Sequence, residues 1–220
     1  MATTETSYRT LSLGERALEE EQERVFIPMR RELDIAAFGV NASYQAKAGE
    51  PVVGEHDEIG PASDRHEELY VVLQGSATFT VDGEELDAPH GTAVFVPDPA
   101  SKRKAVATSD GTIVLSVGGR RGEAYRLSPG ASIRGFHDAH KEGDYETALE
   151  HCRRGLEQYP DNAFILYNLA CVQALSGQPD DALATLERSV GAWPAYKELA
   201  REDEDFASVR EDPRFQELIG

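Results

Sequence analysis

The 220-residue chain is poor in cysteine, in basic residues and in long apolar runs, and each shortage excludes something. Its two cysteines, Cys152 and Cys171, are too far apart for a C-x-x-C redox or zinc motif and read as buried free thiols. No apolar run approaches the roughly 18 to 20 residues that span a bilayer. The opening MATTETSYRT lacks the basic start, apolar middle and small-residue cleavage site of a secretory signal. A cytoplasmic location is expected, which suits unpaired thiols. The 22 Lys and Arg against 40 Asp and Glu give a net charge of −18, and both halves are acidic. Without a basic face, neither nucleic acid nor an anionic membrane is an expected partner. There is also no nucleophile elbow, phosphate loop or H-E-x-x-H motif to suggest an enzyme class.

What is present falls into two periods. From Val40 to Val117 apolar and polar residues alternate, as in Val40, Ala42, Tyr44 and Ala46 set against Asn41, Ser43, Gln45 and Lys47. This is a strand period. Further short runs at 69–73, 77–81, 92–96, 105–108 and 112–117, evenly spaced between turn residues, predict a sandwich or barrel. Asp82-Gly83 between two of them predicts a tight hairpin turn. Beyond the glycine-rich 118–122 and Ser128-Pro129-Gly130 the period becomes helical, and residues repeat at an offset of 34: Gly143 with Gly177, Ala148 with Ala182, Leu149 with Leu183, Pro160 with Pro194. The expected organisation is a tail or short helix over 1–24, a β-barrel over 25–120, a linker over 121–130 and a helical domain over 131–220.

The helical segments KEGDYETALEHCRRGLEQYPDN and AFILYNLACVQALSGQPDDALATLERSVGAWP resemble tetratricopeptide repeats, whose period is 34. Small Ala148 and Ala182 let paired helices approach, and Leu183, Leu186 and Val190 form a buried stripe. Gly135 and Phe136 depart from the pattern in the first helix. The ending DEDFASVREDPRFQELIG resembles a closing cap, with Phe206, Val209, Phe215 and Leu218 covering the last helix face. The resemblance implies a surface for a protein partner or for a second copy of the chain.

HEELYVVLQGSATFTVDGEEL followed by GTAVFVPDP resembles the two motifs of cupins. The fold class implied is α+β multidomain, a cupin-type jelly-roll β-barrel followed by tetratricopeptide helices. Glu68 and Gly75 match the first motif, and Gly91 and Pro97 the second. Pro99 replaces the usual glycine, and Lys102 the last usual histidine. The H-x-H pair is missing at strict spacing. With 59–64 treated as an inserted loop, Glu55 and Asp57, or with a one-residue slip His56 and Glu58, take its place. Alternation would put His66, Glu68 and Tyr70 on one inward face. The candidate ligand-binding residues of the barrel interior are therefore Tyr44, His56, His66, Glu68, Tyr70, Phe79 and Lys102, while His90 lies in a solvated turn.

Lys102, if inward, could pair with Glu68 or attract an anion. Alternatively, Pro97-Asp98-Pro99 bends the chain so that Lys102, Arg103 and Lys104 face solvent. The expected function is a non-catalytic module that binds a small polar or anionic molecule, without a cofactor, coupled to a repeat domain for protein interaction or self-association. One alternative is a metal-dependent cupin enzyme, an oxygenase or isomerase, holding a single Zn, Mn or Fe through His56, His66 and Glu68. Others are a metal-free isomerase using His66 or Tyr70 as acid and base, and a purely structural scaffold.

Overall fold

The computed structural model describes residues 9–19 and 22–220, so residues 1–8, 20 and 21 of the expected tail lie outside the described residues. The chain forms two compact units, one from the residues up to Ile59 together with Arg65–Arg126, the other from Gly60–Asp64 together with Leu127–Gly220. The segment 60–64, counted from sequence within 25–120, thus groups with the helices. Its main chain is taken up there: Gly130 N donates to Ala62 O and the Asn162 side-chain amide to Pro61 O, both at 2.8 Å.

The first unit runs α1 (Leu13–Leu18), β1 (Arg24–Ile27), α2 (Met29–Glu32), β2 (Gly39–Gln45), β3 (Pro51–His56), β4 (Glu67–Gln74), β5 (Ser76–Val81), β6 (Glu84–Pro89), β7 (Ala93–Val96), β8 (Arg103–Ala107) and β9 (Thr112–Gly119). One sheet has the order β1-β2-β9-β4-β7 and the other β3-β8-β5-β6. With β1 set aside, these eight antiparallel strands have the arrangement of a jelly roll. Asp82 (φ 50°) and Gly83 (φ 88°) join β5 to β6, whose residues Val81 and Glu84 pair directly. That is the two-residue hairpin turn expected from Asp82-Gly83.

Pleat alternation sorts the side chains of the first sheet. Val25, Ile27, Ala42 and Ile113 pack with Ala17 and half-buried Tyr44, Leu11 and Leu13 in one cluster. Their neighbours Phe26, Asn41, Ser43, Val114 and Ser116 point the other way, toward the space between the sheets. The core there is built from Val52, Val72, Phe79, Ala88, Val94, Val96, Ala105 and Ala107.

The second unit comprises α3 (Pro129–Ser132), α4 (Phe136–Glu142), α5 (Tyr145–Gln158), α6 (Ala163–Leu175), α7 (Pro179–Ala192), α8 (Tyr196–Glu202), a 3₁₀ turn (Glu204–Phe206) and α9 (Pro213–Ile219). The 34-residue offset reappears as equivalent backbone geometry. Gly143 and Gly177 end α4 and α6 at φ 75° and 72°. Asp144 N donates to Ala139 O and Gln178 N to Gln173 O, each at 2.9 Å, closing the two helices in the same way. Tyr159 (φ −133°, ψ 70°) and Trp193 (φ −145°, ψ 90°) both leave the helical region before Pro160 and Pro194, as the proline ring favours. The first helix of the first repeat, where Gly135 and Phe136 depart from the pattern, is short at seven residues. Gly135 precedes it at φ 103°, and a Cβ there would lie 2.8 Å from His151 Nε2. Phe206, Val209, Phe215 and Ile219 are buried in the cap and Leu218 is half-buried. Cys152 and Cys171 are free, buried and in different clusters.

Candidate functional site

Between the sheets of the jelly roll lies a cavity of about 360 Å³, lined in part by Asn41 and Ser43 of β2, His56 of β3, Glu58, Glu68 and Tyr70 of β4, and Ser116 of β9. A β-bulge places the histidine. Val53 pairs with Ala105 and His56 with Arg103, three steps along β3 against two along β8. The extra residue re-aims the chain, and simple alternation no longer holds across it. The next turn is pinned by Glu58 N donating to Pro99 O at 2.8 Å. Gly54 leaves room for a guanidinium, since a Cβ on it would lie 3.3 Å from Arg24 Nη2.

Glu68 Oε2 is the hub. It accepts from the Tyr70 hydroxyl at 2.5 Å and from His56 Nε2 at 3.3 Å, and Arg103 Nε stands 3.5 Å away. His56 Nδ1 donates to Gly54 O at 2.8 Å. Because Nδ1 already carries a proton, the contact of Nε2 with a carboxylate calls for the doubly protonated ring. Burial opposes that charge, but the hydrogen bonds with Glu68 and Gly54 outweigh it and carry the His56 pKa upward. Burial likewise opposes ionisation of Glu68. The hydrogen bonds from His56 and Tyr70, with the charges of His56 and Arg103, prevail and hold its carboxyl below the usual range. Glu58 has less help: burial and the charge of Glu68 push it up to about 7. Burial and the adjacent Glu68 charge also raise the Tyr70 phenol, which stays protonated as a donor.

Of the residues singled out from sequence, His56, Glu68 and Tyr70 meet here. Of the two registers considered for the missing histidine pair, His56 and Glu58 are the ones that stand beside Glu68, whereas Glu55 is exposed and pairs with Lys104 at 3.4 Å. Four candidates are displaced. Tyr44 faces the opposite side of its sheet, packed in the cluster with Val25 and Ile27. His66 precedes the first residue of β4 and its ring stands 6.0 Å from that of Tyr125, outside the His56–Glu58–Glu68 group. Phe79 is fully buried core and supports the Tyr70 ring at 5.5 Å without lining the cavity. Lys102 is exposed, its main-chain N tied to Asp82 Oδ1 at 2.8 Å. The inward residue is the next one, Arg103, with no exposed side-chain surface.

The helical unit has its own polar corner. Cys171 Sγ donates to Asp203 Oδ2 at 3.8 Å, Tyr167 donates to the same oxygen at 2.8 Å, and His140 Nε2 donates to Asp205 Oδ2 at 2.8 Å. Burial, then the two carboxylates, raise the Cys171 thiol well above its ordinary range. The corner is a hydrogen-bonded clasp between α4, α6 and the 3₁₀ turn.

A family model described as Tetratricopeptide repeat matches residues 139–199. Among solved structures, a cupin protein from Bacteroides fragilis is similar at 24% identity, over 56% of this chain and 95% of its own, with a TM-score of 0.39. An RmlC-like cupin protein from Desulfovibrio desulfuricans is similar at 18% identity, over 53% of this chain and 96% of its own (TM-score 0.36). KdgF from Halomonas sp. is similar at 19%, over 45% and 79% (TM-score 0.34). No curated protein sequence matches. The chain joins a jelly roll, similar to these cupin proteins, to helices that the tetratricopeptide repeat model matches over residues 139–199.

In the jelly roll, the donor set does not fit a resident divalent ion. His56 Nε2, Glu58 and Glu68 offer ligand atoms within 4.8 Å of one another. Yet His56 would have to give up its Nε2 proton, Glu58 would have to ionise, and the ion would share Glu68 with a guanidinium 3.5 Å from its oxygen.

Proposed function

We propose that the jelly roll binds a small polar anion in its cavity without a metal, and that the repeats couple this module to a protein partner or a second copy. The observation that carries the reading is the polar lining. Asn41, Ser43, Ser116, His56, Glu58, Glu68 and Tyr70 line the cavity at positions where a merely structural jelly roll would close over apolar side chains. Keeping polar groups between sheets is costly unless they are partnered. The charges favour an anion. His56, its pKa raised, and Arg103 behind the lining flank ionised Glu68, Glu58 is protonated below about pH 7, Arg24 stands at Gly54, and the lining's other carboxylate, Glu55, is paired with Lys104. Hydroxyl groups of such a ligand would meet Asn41, Ser43 and Ser116.

The test is affinity for small carboxylates and phosphates screened by calorimetry on the full chain. Arg24→Ala and His56→Gln should each weaken whichever ligand is found, because each removes positive charge or a donor from the lining, and Lys102→Ala should not. A ligand that binds all three variants like wild type would place the site elsewhere. For the repeats, a tagged chain analysed by light scattering with and without Trp193→Ser reads self-association, since Trp193 is 40% exposed.

A further inference from the structure

We propose that the Arg103 guanidinium is the built-in counter-cation of the jelly roll, standing where a metal ion would otherwise balance Glu68. This rests on reading the cavity as the ligand site.

The backbone register makes Arg103 unavoidable. β8 runs between β3 and β5, and Arg103 pairs with His56 on one side and with Val81 on the other. Paired residues share a face, so Arg103, Ala105 and Ala107 form one inward column, all essentially without exposed surface. The two alanines beneath it keep that column narrow. Pro97-Asp98-Pro99 enters the strand, and Pro99 O accepts from Arg103 Nη1 at 3.4 Å. Neither Nε nor Nη2 has a hydrogen-bond partner, so the charge of Glu68, 3.5 Å from Nε, is the compensation that the structure shows for a fully buried guanidinium. The need is mutual. Glu68 is 14% exposed and without Arg103 would be left with His56 and Tyr70 as its partners.

A divalent ion bound to the same Glu68 oxygen would sit within a few ångströms of Arg103 in a poorly screened interior, where like charges repel strongly. Motif counting placed the substituted histidine at Lys102, but the strand's inward position falls one residue later. The chain therefore has a fixed cation at the place of the last ligand.

The experiment is titration of metal-free, full-length protein with Zn²⁺ and, separately, Mn²⁺, by competition with a chromophoric chelator, in wild type and in Arg103→Lys, Arg103→Gln and Arg103→His, each alone and with Glu68→Gln. Counting only binding that Glu68→Gln abolishes removes any contribution from the Cys171 corner. Wild type and Arg103→Lys should show no such binding. Arg103→His should gain one equivalent, at least about tenfold tighter than wild type, with Arg103→Gln between them. Circular dichroism reports whether each variant folds, and Arg103→Gln serves if Arg103→His does not. One equivalent of Glu68-dependent metal in wild type would overturn the proposal. So would folded Arg103→His and Arg103→Gln proteins that gain nothing. Metal in wild type would also sink the metal-free part of the functional reading, but anion binding itself is read by the calorimetric screen, so the two readings remain distinguishable.

Discussion

The two units of this protein treat buried polarity in opposite ways. In the repeats, the interior is mostly apolar and repetitive: Ala148 and Ala182, 34 residues apart, are both fully buried, the buried polar side chains Asn168, Thr185 and Ser189 carry no charge, and the His140–Asp205 pair is half-exposed. In the jelly roll, the polar cluster lies between the sheets, and a guanidinium with no solvent contact balances it. The first arrangement is what packing alone selects. The second is costly to fold, a cost that the proposed ligand would account for.

That contrast can be broken in order of expected effect. Arg103→Met should lower stability by about 3–5 kcal/mol, because it removes one partner of a buried charge pair and leaves Glu68 with His56 and Tyr70 alone, and adding Glu68→Gln should restore part of the loss. Urea denaturation of the two variants measures both. A small cost for Arg103→Met, with no recovery in the double variant, would mean that the pair does not support the barrel.

Ala182→Trp tests the apolar side of the contrast. Overpacking a fully buried position between helices costs about 1–3 kcal/mol. An unchanged melting temperature would show that α6 and α7 are not closely packed there.

Glu58 gives a pH signature. Its folded pKa of about 7 lies above its ordinary value, so the native state holds the proton more tightly than the unfolded chain. Stability should therefore be greatest near pH 4.5 and fall as pH rises to about 7. Glu58→Gln should flatten this part of the profile and be the more stable protein at pH 8. If the slope survives the substitution, another group carries it.

The smallest effect belongs to the helical corner. His140 and Asp205 side chains are 29% and 23% exposed, so His140→Gln should cost only about 0.2–1 kcal/mol. A loss as large as that of Arg103→Met would erase the distinction between the two polar clusters.

The contrast also explains what could be read from the sequence. The repeats were legible because Gly143 and Gly177, and Pro160 and Pro194, impose the same backbone at a fixed offset. The hairpin at Asp82-Gly83 and the alternation of β2 were legible for the same local reasons. β6 was not, because EELDAP is exposed except at Ala88 and has no apolar period to find. Which face of β2 looks inward was not legible either, because Val25 and Ile27 of β1 cover the side that Tyr44 occupies. His56 could be reached only by slipping the register by one residue, the local bulge having displaced it. Lys102 was one residue away from Arg103, since motif counting fixes a neighbourhood while the strand's pleat selects the side chain.

The central claim is that the polar interior of the jelly roll holds a small anion. Native mass spectrometry of full-length protein, purified without chelator and compared with Arg24→Ala prepared identically, tests it most directly. The expected result is a retained organic acid or phosphate on wild type, reduced or absent on Arg24→Ala and released on denaturation. Bare protein in both preparations, together with no binding in the carboxylate and phosphate screen, would contradict it.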